Sequence, residues 1–366
     1  MARRPLTVGV VGLGYGRAHI PAFQAHGCEV VAVCQRDEAA ARAVAGHYGV
    51  PQVFTQWQDM LERARPAIVV IAAPPALHKA IALEAFAAGA HVLCEKPLAM
   101  DAAEARVMTD AAARAGRVAM TAFNWRFPAA MQRFHAMVEA GHVGRPIHLA
   151  GRWLGARWAD EGAPITWRMD RAQAGHGAMG DMGVHLVDLV RWCFGEFARV
   201  FARGGVAYPS RTTPDGKPAD AEDHCAVLAE MASGAVVTLQ ASRAARGANE
   251  SSLEVYGTSG ALAYRLDRGQ ARWHRGGDLL ATADGGALAP VKVPPVVPRS
   301  AGEGDAMEVV GKATIAPLVK RMLAAIRSGE LASPSFEDGV RAQAVLDAVL
   351  ESERTAAWVP VAGAAR

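Results

Sequence analysis

An aspartate and a histidine stand four positions apart near the middle of the chain, at Asp181 and His185. On a helix this spacing puts both side chains on one face. An imidazole, with an ordinary pKa of about 6.5, can accept and return a proton at working pH, and a nearby carboxylate can orient it or bind a substrate hydroxyl. The pair predicts a catalytic acid/base site, with His185 as the proton acceptor. The alternative is an exposed charge pair of little consequence.

A lysine follows the apolar run His91–Cys94, in the order Glu95-Lys96-Pro97. Doubly wound parallel sheets bind their ligands at the carboxyl ends of the strands. An ammonium group at that edge can hold a reacting oxygen and stabilise the negative charge that develops on it. We therefore expect Lys96 to be a second catalytic residue that acts on the same substrate as His185. The alternative is a solvated lysine beside a turn proline.

The first apolar run of the chain, Leu6–Val11, ends in a glycine-rich turn. Glycine allows a tight turn and a close backbone approach, and the helix that follows offers N–H groups and a positive dipole. Between a strand and a helix, this is where the pyrophosphate of a dinucleotide binds. The alternative is a tight turn without a ligand. The predicted cofactor-binding residues of the turn are Gly12, Leu13, Gly14, Tyr15, Gly16 and Arg17.

Two departures from the dinucleotide pattern bear on the cofactor. Arg17 stands where G-x-G-x-x-G has its third glycine, so either the loop is one residue shorter, with Gly16 in that role, or Arg17 faces phosphate. Gln35 stands where an acidic residue usually binds the ribose, and Arg36 follows it. Loss of the carboxylate removes repulsion against a 2′-phosphate and Arg36 can pair with one, which favours NADP over NAD. In the alternative, Arg36 points to solvent and Asp37 caps the second helix.

The pattern of apolar residues changes along the chain. The first third alternates continuous apolar strands with helical patterns, which is typical of a parallel sheet covered on both faces. After about Asn124, strand-like runs linked by turn residues predict a mostly antiparallel sheet with helices on one face. We predict an α/β protein with an N-terminal doubly wound Rossmann domain over residues 1–123 and a C-terminal α+β domain with an open, mostly antiparallel sheet over residues 124–366.

Several finer boundaries follow from the same patterns. Ala271–Trp273 is predicted as a strand, and Ile315–Ser328 and Gly339–Glu353 as the last two helices. Residues 203–220 and 283–305 are rich in Pro, Gly and Ala and are predicted to be loops.

The bulk composition excludes several function classes. The 366 residues are 51% hydrophobic, and 39 basic against 36 acidic residues give a net charge of +3, so neither nucleic acid nor an anionic membrane is an expected partner. The 5 cysteines include no CxxC pair, which indicates reduced thiols. We find no ligand spacing for a metal. Leu6–Val11 is too short for a secretion signal and no apolar stretch could span a bilayer, so we expect a cytoplasmic protein.

Four further segments carry a family likeness. They are Ala73-Pro74-Pro75-Ala76-Leu77-His78, His91-Val92-Leu93-Cys94-Glu95-Lys96-Pro97-Leu98, Phe123-Asn124-Trp125-Arg126-Phe127 and Gly175-His176-Gly177-Ala178-Met179-Gly180-Asp181-Met182-Gly183-Val184-His185. With the glycine turn they resemble the Gfo/Idh/MocA family, named for glucose–fructose oxidoreductase, inositol dehydrogenase and a rhizopine-catabolism protein. The likeness extends to Phe336-Glu337-Asp338-Gly339 and Trp358-Val359. Its most specific parts are the Glu-Lys-Pro triplet and the Asp-x-x-x-His pair.

The resemblance implies an NAD(P)-dependent oxidoreductase that transfers a hydride between the nicotinamide and a secondary alcohol or ketone of a sugar, a sugar derivative or a cyclitol. Further cofactor contacts are then expected from Gln35 and Arg36 and from Pro74, His78, Glu95, Lys96 and Asn124, with Glu95 on the nicotinamide ribose. Tryptophan faces suit the C–H surfaces of sugars, and arginines suit hydroxyl or carboxylate groups. The expected substrate-binding residues are Arg126, Arg152, Trp153, Trp167 and Arg168.

The resemblance also implies a homodimer or homotetramer formed through the exposed face of the C-terminal sheet. His176 interrupts the glycine triplet of the family and is predicted to influence substrate preference. Three other functions stay open: a glycosidase that recycles its NAD, a reductase of a non-sugar carbonyl or imine, and a non-catalytic sensor that binds NAD(P). The presence of Lys96, Asp181 and His185 argues against the sensor.

Overall fold

The computed structural model describes residues 4–212, 216–268, 276–283, 285–293 and 306–363. The predicted strand Ala271–Trp273 lies outside these residues. By its contacts the chain divides into two units, Met1–Asn124 with Ser300–Val340 and Trp125–Arg299 with Arg341–Arg366. The sequence-based domains are two continuous ranges, so the grouping of residues 300–340 with the first unit is a feature that the sequence pattern did not indicate.

The first unit is built on a doubly wound parallel sheet. Its strands in the described residues are β1 (Thr7–Val11), β2 (Glu29–Cys34), β3 (Gln52–Phe54), β4 (Ile68–Ile71), β5 (His91–Cys94) and β6 (Ala119–Thr121). They pair in the order β3-β2-β1-β4-β5-β6, all in parallel. The order reverses between β1 and β4, where such sheets bind ligands at the strands' carboxyl ends. The predicted Rossmann fold is confirmed.

Helices connect these strands, and two of them begin and end at residues that favour helix termini. They are α1 (His19–Gln24), α2 (Glu38–Tyr48), α3 (Trp57–Arg63), α4 (Pro75–Ala87) and α5 (Ala102–Ala115). The Asp37 carboxylate accepts a hydrogen bond from the Ala40 amide at the start of α2, which is the capping role given to Asp37 in one of the sequence-based alternatives. The Asp101 carboxylate accepts from the Glu104 amide in the same way at the start of α5. Gly49 and Gly116 end the two helices at φ of 68° and 62°.

The second unit is built on a mixed sheet. Its described strands are β7 (Pro146–Leu154), β8 (Phe197–Gly205), β9 (His224–Met231), β10 (Val236–Ser242), β11 (Glu250–Gly257), β12 (Ala261–Asp267), β13 (Asp278–Thr282), β14 (Ala289–Pro290) and β15 (Val359–Pro360). All neighbours pair antiparallel except β7 with β10, so the mostly antiparallel prediction is confirmed. The loop prediction over residues 203–220 was wrong at its start, because β8 extends to Gly205.

One face of this sheet is buried and the other is open, because alternate side chains of a strand point to opposite faces. Along β7, for example, Leu149 and Trp153 are buried whereas His148 and Arg152 are exposed. The described helices of this unit include α6 (Ala129–Glu139), α7 (Arg171–Ala174) and α8 (Val184–Phe194), and α8 contacts β7.

The C-terminal part of the described chain is helical. It contains α9 (Ala306–Val310), a π-helical turn (Gly311–Ile315), α10 (Ala316–Ser328) and α11 (Phe336–Thr355). A Cβ on Gly311 would overlap the Ala18 carbonyl, so glycine permits the π turn to pack against the chain that follows the glycine turn. The sequence predicted neither α9 nor the π turn. In the described residues, no helix combines the length and the apolar character needed to cross a membrane.

Candidate active site

The glycine turn at the end of β1 is held by two glycines in close contact with β4. Gly12 has a φ of 87°, and a Cβ there would lie 2.7 Å from the Ala73 amide nitrogen. A Cβ on Gly16 would lie 2.9 Å from the Ala72 Cβ. Close packing of helix on strand is the role of the third glycine in the dinucleotide pattern. The loop is therefore one residue shorter than that pattern, and Gly16 takes the third position.

The same turn leaves space and donors for an anion. Apart from Gly14 itself and its two chain neighbours, no described residue has an atom within 4 Å of a Cβ built on Gly14. Arg17 is half-buried, and its Nε is buried with no hydrogen-bond partner among the described residues. The Leu13 amide donates to the Gln35 Oε1 at 3.1 Å, and Arg36 is exposed. An open glycine, a polar atom without a partner and a helix start together fit a dinucleotide phosphate.

Two buried side chains meet at the carboxyl end of β5. Glu95 is 7% exposed and His19 is 0% exposed, and the His19 Nε2 lies 2.7 Å from the Glu95 Oε1. Lys96 follows as a half-buried residue, and the Lys96–Pro97 bond is cis. His19 was missed by the sequence reasoning, although it stands three residues after Gly16 and begins α1.

A second polar group links the glycine turn to the C-terminal segment of this unit. The Asn124 Nδ2 donates to the Thr314 Oγ1 at 2.6 Å and lies 3.4 Å from the Tyr15 hydroxyl. The Thr314 hydroxyl donates to the Val310 carbonyl at 2.9 Å. Burial, and then the Glu95 carboxylate, raise the pKa of Tyr15, so its hydroxyl keeps its proton. Thr314 had no sequence motif by which it could have been found.

His78 lies in the first turn of α4 and is enclosed by main chain. It is 1% exposed, with Nε2 at 2.8 Å from the Ala73 carbonyl and Nδ1 at 3.2 Å from the Leu98 carbonyl. Burial lowers the pKa of His78, and a neutral imidazole has one N–H to donate. Both ring nitrogens lie near main-chain carbonyls, but the neutral ring can donate to only one of them. His78 thus connects the loops that follow β4 and β5. Pro74 is half-buried and immediately precedes α4.

In the second unit, Asp181 and His185 lie on one continuous helix with a π-helical start. Asp181 is in the π turn Met179–Gly183 and His185 is in the first turn of α8. A π turn makes i→i+5 bonds, so the regular α-helical spacing assumed for the pair does not apply across it. His185 is 5% exposed, with its ring 4.9 Å from that of Trp153 in a stacked arrangement and 6.4 Å from that of Trp125.

Three of the predicted site residues contact one another beside this helix. The Arg168 Nε lies 3.4 Å from the Asp181 Oδ1, and the Arg168 guanidinium lies 4.3 Å from the centre of the Trp167 ring. All three side chains are partly exposed. The Arg168 carbonyl accepts from Arg243, which forms a buried ion pair with Asp223 at 2.9 Å. The hydrogen bond from Arg243 therefore fixes the main chain at Arg168.

A buried carboxylate caps the start of the same helix. Glu222, 4% exposed, accepts from the Gly177 amide at 2.8 Å and from the Met179 amide at 3.2 Å. Its main-chain carbonyl accepts from the Ala178 amide at 2.7 Å, and Arg171 pairs with the carboxylate at 3.1 Å. A Cβ on Gly177 would overlap the Glu222 backbone. The sequence reasoning did not identify Glu222.

Two arginines predicted to bind substrate lie elsewhere. Arg126 and Asp188 form a buried bidentate pair with distances of 2.8 and 2.5 Å, at 3% and 1% exposure, so this guanidinium is used inside the unit. Arg152 is exposed on the open face of the sheet, 3.4 Å from Glu250, because strand alternation turns it away from the buried Trp153. Trp192 stacks on His135, with the ring centres 3.7 Å apart.

His176 lies in a buried contact with α11. It is 2% exposed, and its Nε2 lies 2.9 Å from the Gln343 Nε2 of α11. A Cβ on Gly180 would lie close to the His176 Cβ, at 2.5 Å. His176 therefore packs this helix against α11.

A doubly wound sheet with a glycine turn at its switch point defines a dinucleotide-binding protein of the Rossmann type. The family model "Oxidoreductase family, NAD-binding Rossmann fold" matches residues 6–123, and "GFO/IDH/MocA C-terminal domain" matches residues 131–263. Levoglucosan dehydrogenase of Pseudarthrobacter phenanthrenivorans is 31% identical over 97% of this chain and 98% of that protein. The chain belongs to the Gfo/Idh/MocA family of oxidoreductases, which confirms the resemblance.

A second relative and a solved structure that are similar to the chain are also dehydrogenases. D-Apiose dehydrogenase of Paraburkholderia graminis is 27% identical, over 94% of this chain and 87% of that protein. A solved structure of levoglucosan dehydrogenase, in complex with NADH and levoglucosan, is 29% identical with a TM-score of 0.86 and covers 98% of this chain and 100% of that chain. The likeness spans both units, and the chain is an enzyme of an NAD-binding oxidoreductase family.

Proposed function

We propose that the chain is an NAD(P)-dependent dehydrogenase that oxidises a secondary hydroxyl of a sugar, a sugar derivative or a cyclitol to a ketone, and catalyses the reverse reaction. The observation that carries this proposal is the buried imidazole of His185, stacked 4.9 Å from Trp153. An imidazole can remove a hydroxyl proton near neutral pH, and an aromatic face beside it suits the C–H surface of a sugar. The dehydrogenase relatives support the same chemistry.

The glycine turn and the end of β5 are the proposed cofactor site. Gly12, Gly14 and Gly16 let the diphosphate approach the backbone, and Arg17 faces it. Glu95 and Asn124 bind the nicotinamide half. When bound, the nicotinamide accepts a hydride from the substrate carbon or returns it. The open space at Gly14 and the buried Arg17 Nε support this assignment.

Gln35 bears on the choice between NAD and NADP. Because the Leu13 amide is a donor, the atom of Gln35 that faces it is the carbonyl oxygen, at 3.1 Å. The NH₂ end of Gln35 is then the part that can meet the adenosine ribose. An amide donor suits both a 2′-hydroxyl and a 2′-phosphate, and the exposed Arg36 can pair with the phosphate. We propose that both dinucleotides are used, with NADP preferred.

The chain's own residues divide the remaining work. His185 takes the hydroxyl proton during oxidation and returns it during reduction. Lys96 holds the reacting oxygen and stabilises its developing negative charge. Asp181 and Arg168 offer an acceptor and donors to further hydroxyls, and Trp153 and Trp167 offer apolar faces. Arg126 and Arg152 are left out of this assignment because of their positions.

The test is a panel of sugars, cyclitols and their keto forms with each dinucleotide, followed at the nicotinamide absorbance. Levoglucosan, apiose and inositol belong in the panel. We expect turnover with at least one of them. Dinucleotide binding without any turnover would contradict the dehydrogenase. Cleavage of a chromogenic glycoside with no net change of the cofactor would instead indicate the glycosidase.

A variant pair tests the role of His185. We expect His185→Asn to lower kcat by about 10²- to 10⁴-fold, the usual contribution of a general base, with dinucleotide affinity unchanged. His47→Asn is the control, since that histidine is 59% exposed beside Glu308. An H185N variant with wild-type kcat would rule out His185 as the base.

We also propose that the open face of the sheet forms the contact of a homodimer or homotetramer. Leu228 and Val236 are exposed there, at 39% and 43%. Light scattering on wild-type protein and on Leu228→Arg should give an oligomer and a monomer, respectively. Leu77→Arg on α4, at a similarly exposed leucine, should leave the oligomer intact. A wild-type monomer would contradict the proposal.

A further inference from the structure

The buried contact between His19 and Glu95 joins the two halves of the Rossmann sheet. His19 begins α1, which follows β1 in the first mononucleotide-binding half. Glu95 follows β5, which belongs to the second half. The His19 Nε2 lies 2.7 Å from the Glu95 Oε1, and the two side chains are 0% and 8% exposed. The contact therefore crosses the switch point of the sheet without access to solvent.

The geometry settles which atom donates. A carboxylate oxygen accepts, so the proton lies on the His19 Nε2. The His19 Nδ1 is buried with no hydrogen-bond partner among the described residues, so a second proton there would have no acceptor. The imidazole thus presents one N–H, and that N–H is aimed at one oxygen of Glu95.

The other oxygen of Glu95 keeps most of its capacity to accept hydrogen bonds. Among the described residues, Oε2 accepts from the Lys96 amide at the long distance of 3.4 Å. A buried carboxylate costs free energy unless donors satisfy it, so an unfixed Glu95 would turn to find them. The His19 contact holds one oxygen and fixes the direction of the second.

We propose that His19 is a positioning residue that fixes Glu95 to accept a hydrogen bond from the nicotinamide ribose. This inference rests on the proposed function, because it requires a bound dinucleotide. In a doubly wound sheet the second half, which carries Glu95, takes the nicotinamide nucleotide, and the first half takes the adenosine nucleotide. His19 therefore affects one half of the ligand although it follows the glycine turn of the other.

The experiment compares a whole dinucleotide with its adenosine half. Binding of NADH and of ADP, which lacks the nicotinamide ribose, is measured by calorimetry on wild-type protein, His19→Ala and His19→Gln. We expect H19A to weaken NADH binding by about tenfold or more, and to leave the affinity for ADP within about twofold of wild type. H19Q should restore most of the NADH affinity, since a glutamine Nε2 can donate where the imidazole Nε2 did. His26→Gln is the control, because the His26 Nδ1 contacts the local Ala22 carbonyl at 2.9 Å, just after the end of α1.

The outcomes separate this inference from the proposed function. Equal loss of NADH and ADP affinity in H19A would mean that His19 supports the glycine turn as a whole, and would overturn the inference. Unchanged NADH affinity would overturn it too. Wild-type protein that binds neither ligand would refute the proposed function, and the inference with it.

A double-mutant cycle keeps the inference testable if H19A folds poorly. Glu95→Gln should cause the same selective loss of NADH affinity. Adding His19→Leu, which removes the donor and keeps the bulk of the side chain, to E95Q should then change NADH affinity by less than about twofold, since residues in contact that act as one unit do not give additive effects. Additive losses in that cycle would overturn the inference.

Discussion

The chain has two glycine-rich turns that lead into helices, residues 12–17 and residues 175–180, and they use their backbone N–H groups differently. In the first, the uncharged Gln35 accepts the Leu13 amide, and Gly14 faces open space. In the second, the Glu222 carboxylate accepts the Gly177 and Met179 amides, and Gly177 has no room for a Cβ. A negative charge already occupies the second helix start, which disfavours an anionic ligand there. In the first turn Gly14 leaves access for a ligand although Gly12 and Gly16 are closely packed, whereas in the second turn Gly177 and Gly180 are both closely packed.

Gly177→Ala should have the largest effect. The new methyl group would overlap the Glu222 backbone and displace the carboxylate from two amides. We expect a loss of about 4 kcal/mol in the free energy of unfolding, from overpacking and unsatisfied amides together. Denaturant unfolding measures it. Gly46→Ala, where no described atom lies within 4 Å of the new Cβ, should be neutral or slightly stabilising. A stable G177A would mean that this turn can relax.

Glu222→Ala should come next, at about 3 kcal/mol, because it leaves buried amides and Arg171 without their acceptor. The loss of kcat should exceed any change of dinucleotide affinity, since the helix carrying Asp181 and His185 loses its cap. Glu230→Ala is the matched control on β9, where the carboxylate is exposed beside Arg199. If E222A and E230A were equally stable, the capping role would be refuted.

Gly14→Ala should separate ligand access from stability. We expect little change in unfolding free energy, because the Cβ meets no described atom within 4 Å. NADH affinity should fall about tenfold, since the methyl group keeps the diphosphate from the backbone amides. Calorimetric titration and thermal unfolding on one preparation measure both. A G14A variant that is destabilised but keeps normal NADH affinity would mean that Gly14, like Gly177, serves packing and not ligand access.

Gln35→Glu should have the smallest effect and a selective one. A carboxylate can still accept the Leu13 amide, but it repels a 2′-phosphate. We expect NADPH affinity to fall about tenfold relative to NADH affinity, with stability unchanged. Gln24→Glu on α1 adds the same charge away from the turn and should leave the ratio as it is. A ratio unchanged in Q35E would remove Gln35 from cofactor choice.

Much of the fold was predictable because its pattern is local. The strands Glu29–Cys34 and His91–Cys94 begin and end where the apolar runs do. The ends of α2 and α5 follow from Asp37 and Asp101 as caps and from the glycines that end them. β8 was missed because its sequence mixes arginines and glycines with apolar residues, and its buried side chains alternate only weakly in type.

The candidate site was predictable in its motifs and less so in its contacts. The stacking of His185 on Trp153 needs a helix and a strand distant in sequence, and spacing alone could not reveal it. Arg126 and Arg152 were predicted to bind substrate because of their residue type. In the structure Asp188 pairs with the Arg126 guanidinium in the interior, and strand alternation leaves Arg152 exposed. His19, Glu222 and Thr314 contribute through partners 76, 45 and 190 positions away.

The sequence by itself determined the parallel sheet, the glycine turn, the cap residues and the family, because each depends on residues close together in the chain. The tertiary structure decided which polar groups are buried against which partners. A buried carboxylate or imidazole must find a donor or acceptor wherever the fold brings one, and that partner is chosen by packing and not by distance along the chain. The hydrogen bonds of Gln35 with the Leu13 amide and of Glu222 with the Gly177 amide both depend on packing in this way.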